Sequence, residues 1–251
     1  MNIRNVLSLW GLENAPTSLH AQRENAIHRV EANGGFAIRV HRKGYRTNSE
    51  LRSELEWMAA MADRGVSVPS PLPSTSGALL QILNDTQFDI LTWLPGRTLS
   101  EAMSRTETDR QDVFYRLGQS TAKIHLACDD WHPSQDFDRP AWDGNGLTGD
   151  NPVWGRYWEN PWLTPARRDL FKRFNAIARS DLTDGGLDYG LIHADLLGEN
   201  VLVDGQSFHF IDFDDGGWGF RLFELQRPSF DISMPRILRI LKRQFSKATN
   251  R

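Results

Sequence analysis

The sequence predicts an α+β fold of two lobes, with a small antiparallel sheet and one helix in the N-lobe and a mainly helical C-lobe that carries a hairpin. A chain of 251 residues is long enough to bury a core in one large domain or in two lobes. Near the N-terminus, Asn33-Gly34-Gly35 joins two strand-like runs, which is a strong hairpin signal. Leu94-Pro95-Gly96 forms a turn, after which the pattern becomes helical. We therefore predict an N-lobe over residues 1–95 and a C-lobe over residues 96–251.

Composition excludes several classes of protein. The net charge of −3 and the pI near 6.2 give no reason to expect nucleic acid as a partner. Cys128 is the only cysteine in the sequence, which excludes an internal disulfide and a zinc site built from cysteines. The N-terminus lacks a cleavage pattern and no long apolar window occurs, so we expect a cytoplasmic protein without a membrane span. Nothing in the sequence indicates an oligomeric state.

The predicted N-lobe contains two charged residues in unusual places. In the strand-like run from Phe36 to His41, alternation of side chains turns Arg39 away from the apolar face. A solvated strand arginine is the simple interpretation. Thr47 and Glu50 fit a capping box, so a helix begins there, and Glu54 projects from its apolar stripe. A carboxylate in that position needs a partner, and Arg39 is a candidate; the alternative is a glutamate at the edge of the surface.

Turn residues and helical spacing define the remaining elements. Proline-rich residues 68–73 predict an extended connector, which precedes two strands, Leu79 to Leu83 and Phe88 to Trp93. Apolar spacing predicts one long amphipathic helix over Asp109 to Cys128. The tryptophan-rich residues 131–162 either cover the core or stack on a ligand, and covering the core is the more common role. Thr164-Pro165 begins a further helix, whose predicted buried side consists of Leu170, Phe174 and Ile177.

The stretch from Leu191 to Asp215 carries the main functional signal. It contains two β-prone runs joined by a tight turn, namely Val201 to Val203, Phe208 to Ile211 and Asp204-Gly205. This hairpin places Asn200, at its entry, beside Asp212, at its exit. An amide oxygen and a carboxylate side by side are ligands that Mg²⁺ prefers.

The spacing of four polar residues in this stretch matches a kinase catalytic loop and its metal-binding aspartate. They are His193, Asp195, Asn200 and Asp212. A hydroxyl that attacks a phosphoryl group needs an aspartate to orient it and accept its proton, and the charge on the phosphate oxygens needs Mg²⁺. Four matching positions in a strand, loop and hairpin context are far more specific than a single histidine or aspartate.

The sequence resembles the aminoglycoside phosphotransferase and choline kinase-like family, including its homoserine kinase and stress-response kinase branches. The resemblance is carried by ENAIHRVEANGGFAIRVHR, RSELEW, LTWLPGRTL, IHADLLGENVL and IDFDD, and it covers nearly everything from His20 to Phe223. It implies a two-lobed protein-kinase-like fold that binds ATP and Mg²⁺. The implied reaction is transfer of the γ-phosphate to a hydroxyl of a small molecule.

The resemblance also implies a role for each matching position. Asp195 corresponds to the catalytic base, Asn200 and Asp212 correspond to the Mg²⁺ ligands, and His193 is expected to support the loop. The implied nucleotide-binding positions are the phosphate-holding pair Arg39 and Glu54 and, near adenine, Thr92, Trp93 and Leu94.

Three departures from the family pattern surround these positions. Arg39 stands where lysine is usual, which keeps the charge but changes the donor geometry. No glycine-rich motif precedes it, so the phosphate-covering turn is expected near Arg23-Glu24-Asn25. Asp212-Phe213-Asp214 replaces D-F-G; Asp214 and Asp215 either bind a second ion or an amine-bearing acceptor, or are solvated.

The C-terminal residues supply an alternative function. From Ile232 to Arg251 the sequence has six basic residues and no acidic ones, in the pattern of a basic amphipathic helix. We interpret this segment as packed on the C-lobe or as a shortened form of the family's C-terminus; contact with an anionic surface is a further alternative. The second interpretation leaves a nucleotide-binding pseudokinase with an impaired acceptor site as the alternative to an active enzyme. A Ser/Thr protein kinase of the stress-response type is a further alternative.

Overall fold

The computed structural model of the protein describes residues 2–23, 25–105, 109–182 and 186–225. The α-helices that lie wholly within these residues are α1 (Ile3–Leu7), α2 (Asn48–Asp63), α3 (Leu99–Met103), α4 (Arg110–Asp129), α5 (Gly144–Thr148) and α6 (Pro165–Asp181). Short 3-10 helices cover Ser8–Trp10 and Tyr157–Glu159. The strands are β1 (Thr17–Gln22), β2 (Ala26–Val30), β3 (Phe36–Val40), β4 (Gln81–Leu83), β5 (Thr86–Thr92), β6 (Arg97–Thr98), β7 (Ala141–Trp142), β8 (Tyr189–Ile192), β9 (Val201–Asp204), β10 (Ser207–Phe210) and β11 (Gly217–Phe220).

The chain forms two compact units. The first contains the residues up to Asp138 together with Glu199–Asp212, and the second contains Arg139–Gly198 together with the described residues from Phe213 onward. The lobe boundary predicted between Pro95 and Gly96 falls inside the first unit. As a division between nucleotide binding and catalysis, it stays a prediction.

A five-stranded antiparallel sheet dominates the first unit, in the order β1-β2-β3-β5-β4. Asn33 and both following glycines adopt positive φ angles, so the predicted β2–β3 hairpin is confirmed. The sequence did not predict β1 or α1. Apolar residues of the N-terminal segment pack against one face of the sheet, where the cluster includes Val6, Leu7, Trp10, Phe36 and Ile38.

The predicted helices of the first unit form as expected. Thr47 Oγ1 accepts a hydrogen bond from the Glu50 amide, and the Glu50 carboxylate accepts one from the Thr47 amide, so α2 begins at the predicted capping box. Asp109 caps α4 through the amides of Gln111 and Asp112. Buried residues on α4 include the predicted apolar set, Val113, Leu117, Thr121, Ile124 and Cys128.

The predicted hairpin is present as β9 and β10, and β6 pairs with β9 at its edge. The predicted turn was wrong by one residue. Asp204 pairs with Ser207, so Gly205 and Gln206 form the turn, and Gly205 adopts the left-handed conformation with φ 57°. The tight turn keeps the strands in register because Gly adopts this conformation without a steric cost.

A three-stranded sheet, β7-β11-β8, lies at the centre of the second unit. Trp142, Ile192 and Ala194 form its buried cluster. β11 is antiparallel to β8 and parallel to β7. Asn175 of α6 donates a hydrogen bond to the Thr148 carbonyl at 2.9 Å, which fastens α6 to α5.

One prediction about apolar residues of the second unit was wrong, and another was confirmed only in part. Leu170, Phe174 and Ile177 of α6 are 57%, 60% and 62% exposed, although they were predicted to be its buried side. Helical spacing identifies an apolar side but does not say whether another element covers it. Among the tryptophans expected to cover the core, Trp142 is fully buried, whereas Trp162 is 90% exposed.

The predicted basic C-terminal helix lies outside the described residues, as does Glu24 of the predicted phosphate-covering turn. Within the part of the chain that is described, no helix has the length and apolar character needed to cross a membrane.

Candidate active site

Arg39 lies at the centre of a buried ion cluster in the first unit. Its Nη1 donates to Glu54 Oε1 at 2.6 Å, and its Nε and Nη2 donate to the two Asp89 carboxylate oxygens at 2.8 and 2.9 Å. His41 Nε2 is 2.6 Å from Asp89 Oδ2. The β3–β5 register places Arg39 directly opposite Asp89. The predicted contact between Arg39 and Glu54 is therefore confirmed, and the interpretation of Arg39 as solvated is wrong, because it is only 5% exposed.

The charges in this cluster stabilise one another. Burial by itself raises the pKa of Asp89, but the charges of Arg39 and His41 outweigh burial and lower the pKa from 3.8 to about 2. Burial lowers the pKa of Arg39, but Asp89 and Glu54 together raise it well above its usual value. A guanidinium has five N–H donors, and three of its nitrogens already donate to carboxylates here. Only the remaining N–H groups can reach a further anion.

The segment predicted to lie near adenine has most of its backbone donors engaged. The Thr92 amide donates to the Ser70 carbonyl at 2.9 Å, and the Trp93 amide donates to the Gly35 carbonyl at 3.0 Å. Thr92 Oγ1 accepts a hydrogen bond from the Ser70 amide. Leu94 is the next residue after Trp93, and among the described residues no acceptor is bonded to its N–H.

The Trp93 indole is also engaged. The Arg29 guanidinium lies over the ring, 4.4 Å from its centroid, and the His20 ring makes an edge contact at 4.8 Å. These contacts hold the indole against the β1–β2 side of the sheet.

The loop that carries Asp195 lies in the second unit and contains a strained residue. Ala194 is fully buried and has a φ of 63°, a left-handed conformation that is costly for a residue with a Cβ. Glu224, itself fully buried, accepts hydrogen bonds from the amides of His193 and Ala194 on one carboxylate oxygen. The His193 ring contacts Phe213 and lies near the Asp195 amide. These contacts support a structural role for His193 and hold the backbone that presents Asp195.

The two predicted metal ligands lie in the first unit. The Ile211 amide donates to the Asn200 carbonyl at 3.0 Å, which places Asn200 beside the residue that precedes Asp212. Asp212 has a φ of 67°. In the described part of the chain, no group of three or more His, Cys, Asp or Glu side chains is arranged to hold a metal. One amide and one carboxylate nevertheless fit Mg²⁺, because this ion usually keeps several waters and uses one or two carboxylates.

Comparison with known proteins identifies the family. A sequence model described as the phosphotransferase enzyme family matches residues 17–233. The chain belongs to this family. The predicted recognition is thereby confirmed.

The phosphotransferase chain is similar in sequence to curated proteins that carry different names. It is 31% identical to an uncharacterised protein of Deinococcus radiodurans, with 88% of this chain and 63% of that protein covered. A homoserine kinase of Cupriavidus necator is 30% identical, with 71% and 52% covered. An amicoumacin kinase of Bacillus subtilis is 23% identical, with 84% and 61% covered. The chain thus spans roughly half to two thirds of the length of these curated relatives.

Solved structures with the same fold include a kinase and a phosphotransferase by name. Amicoumacin kinase hAmiN in complex with AMP-PNP, Ca²⁺ and Ami superposes with a TM-score of 0.75 at 18% identity, covering 92% of this chain and 68% of that chain. Aminoglycoside phosphotransferase APH(4)-Ia, as a thermostable mutant in complex with ADP and hygromycin B, superposes with a TM-score of 0.67 at 15% identity, covering 96% and 81%. The predicted α+β kinase-like fold of the phosphotransferase is therefore confirmed.

Sequence reasoning missed two residues that organise the candidate site. Asp89 interrupts an apolar strand between Phe88 and Ile90, and a carboxylate in such a run signals a buried partner. Glu224 carries no comparable signal, because its partners are backbone amides 30 and 31 positions away in the chain.

Proposed function

We propose that this phosphotransferase is ATP- and Mg²⁺-dependent and moves the γ-phosphate to a hydroxyl of a small molecule. The observation that carries the proposal is the backbone at Ala194 and Asp212. The other non-glycine residues with positive φ in the described chain are Asn33, Asn84 and Asp85, which lie in strand-connecting turns. Strained conformations outside turns concentrate at active sites, and here they coincide with the predicted base loop and metal ligand.

The roles of the chain's own residues follow from their chemistry. Asp195 orients the acceptor hydroxyl and accepts its proton as the oxygen attacks phosphorus. Asn200 and Asp212 provide oxygen ligands to Mg²⁺, which when bound neutralises charge on the phosphate oxygens. Leu94 offers its N–H to the base. Arg39 contributes to phosphate binding through the N–H groups that Asp89 and Glu54 leave available.

A small-molecule acceptor is the favoured substrate class. It is supported by the names of two relatives, homoserine kinase and amicoumacin kinase. One observation favours the alternative of a nucleotide-binding pseudokinase: carboxylates already engage three nitrogens of the Arg39 guanidinium. Acceptor-dependent turnover separates an enzyme from a binding protein.

The first experiment measures ATP turnover with Mg²⁺ across a panel of hydroxyl acceptors for the unsubstituted chain and for Asp195→Asn. We expect acceptor-dependent turnover that falls by about 100-fold or more in the variant, since a positioned base contributes about 10²–10⁴-fold. Asp204→Asn, an exposed residue on β9, is the matched control and should keep full turnover. Nucleotide binding without any Asp195-dependent phosphorylation would refute the proposal of an active enzyme. The nucleotide-binding pseudokinase would then be the remaining interpretation.

The second experiment tests the metal role of Asp212. Asp212→Asn removes the charge but keeps a residue type that tolerates positive φ, so we expect Mg²⁺-dependent ATP binding to be lost in calorimetric titration. Asp85→Asn makes the same change at an exposed position with φ 58° and serves as the control. If Asp212→Asn binds ATP with an unchanged Mg²⁺ requirement, Asp212 is not a metal ligand.

A further inference from the structure

Arg139 binds the backbone of the turn that directly follows Asp212 in the chain. Its Nε donates to the Gly216 carbonyl at 2.7 Å, and its Nη2 donates to the carbonyls of Phe213 and Asp214 at 2.7 and 2.6 Å. Arg139 is buried. The Gly216 amide also donates to the Phe213 carbonyl at 2.9 Å, which closes the segment as a β-turn. One edge of the guanidinium therefore holds the turn at both of its ends.

Trp142 completes this arrangement from the same short segment. Its Nε1 donates to the Asp215 carbonyl at 2.8 Å, so four consecutive carbonyls, from Phe213 to Gly216, accept from side chains of Arg139 and Trp142. We call the four carbonyls and these two side chains the carbonyl clamp. The Trp142 side chain is fully buried, so its own position is determined by the core of the second unit.

Backbone packing beyond the turn reinforces the carbonyl clamp. The Trp218 amide donates to the Pro140 carbonyl at 2.9 Å, and β7 pairs with β11. A methyl group at Gly217 would lie 2.1 Å from the Pro140 oxygen, so only glycine fits at this approach. The segment that carries Asp214 and Asp215 is thus held on both sides of the turn by residues 139–142.

We infer that Arg139, assisted by Trp142, is a positioning residue for divalent-cation binding, because the carbonyl clamp holds the chain immediately after the metal ligand Asp212. The inference rests on the proposed function. An arginine is required rather than a lysine, since a planar fork can donate to three carbonyls along one edge and a lysine ammonium cannot reproduce this geometry. Residues that orient metal ligands without touching the metal change metal affinity by about 10–100-fold when they are replaced.

The test compares the unsubstituted chain with Arg139→Gln, Arg139→Lys and Trp142→Phe. Two quantities are measured: hydrogen exchange of the amides in residues 213–218, and the Mg²⁺ concentration that gives half-saturation of ATP binding. Trp142→Phe keeps an aromatic ring in the core and removes only the Nε1 hydrogen bond, so it remains interpretable if the Arg139 variants fail to fold. Arg156→Gln is the matched control, because Arg156 also donates to a backbone carbonyl, that of Asp150, but has an exposed side chain.

We expect faster exchange in residues 213–218 and an increase of about 10-fold or more in the half-saturating Mg²⁺ concentration for both Arg139 variants. Excess Mg²⁺ should restore ATP binding, and Trp142→Phe should show the same effects at smaller amplitude. Faster exchange with an unchanged Mg²⁺ requirement would overturn the inference, because the clamp would then serve stability alone. Unchanged hydrogen exchange in the Arg139 variants would also overturn the inference. So would an unchanged half-saturating Mg²⁺ concentration in Arg139→Lys. Failure of the proposed function would give a different result, because the unsubstituted chain would then bind no ATP at any Mg²⁺ concentration. The inference would fail together with the proposed function in that case.

Discussion

Replacement of Asp89 by asparagine tests the buried ion cluster around Arg39. The substitution keeps the shape of the side chain but removes one of the two carboxylates that contact the guanidinium. Asp89 and Glu54 are fully buried, so solvent does not screen the change. Arg39 would lose its bidentate partner, and His41 would lose the carboxylate beside its ring.

The expected loss of stability follows from the pKa of Asp89. The difference between the usual value of 3.8 and the folded value of about 2 corresponds to about 2 kcal/mol, because one pKa unit is worth about 1.4 kcal/mol. Breaking a buried ion pair by removing one partner costs about 3–5 kcal/mol. We therefore expect the free energy of unfolding at neutral pH to fall by roughly 2–4 kcal/mol in Asp89→Asn.

The pH dependence of this loss distinguishes charge from packing. Because folding lowers the pKa of Asp89, its contribution is fully present above 3.8 and is lost as the pH falls through about 2. Urea denaturation from neutral to acidic pH should show a constant difference between the two proteins, which then shrinks below pH 3.8. Asp85→Asn, on the exposed turn of the same β-hairpin, should leave the free energy of unfolding nearly unchanged. A pH-independent difference, or none, would refute the electrostatic account.

Substitutions at three further positions have predicted signs. Gly217→Ala should lower the free energy of unfolding by about 1–3 kcal/mol or more through overpacking against the Pro140 carbonyl. Gly118→Ala, at an exposed position within α4, should raise the free energy of unfolding by about 0.5–1 kcal/mol. Thermal unfolding measures both changes, and a change in the same direction for the two variants would contradict the packing described. Glu224→Gln keeps one oxygen acceptor for the His193 amide, so this variant should lose less free energy of unfolding than Glu224→Ala. We expect kcat to fall in both variants. An unchanged kcat in Glu224→Ala would show that the loop from His193 to Asp195 does not position the base.

Local patterns accounted for much of the fold and part of the candidate site. The capping box at Thr47, the apolar stripe of α4 and the β9–β10 hairpin depend on residues a few positions apart, so their spacing is visible in the sequence. Strand alternation likewise placed Arg39 on the face opposite Ile38. Short stretches such as IHADLLGENVL and IDFDD carried the resemblance to the family for the same reason.

Long-range packing decided the surroundings of those residues. Asp89 contacts Arg39 across 50 positions in the chain through the β3–β5 register, and Arg139 contacts the turn after Asp212 across 74 to 77 positions. Such contacts depend on which strands pair, and strand pairing has no local signature. The incorrect prediction for the apolar side of α6 has a similar cause, because periodicity shows which side of a helix is apolar but not what covers it. The sequence by itself determined the residue types on which the proposed phosphoryl transfer depends. Only the tertiary structure decided which buried partners hold them, because register and burial are properties of the packed chain.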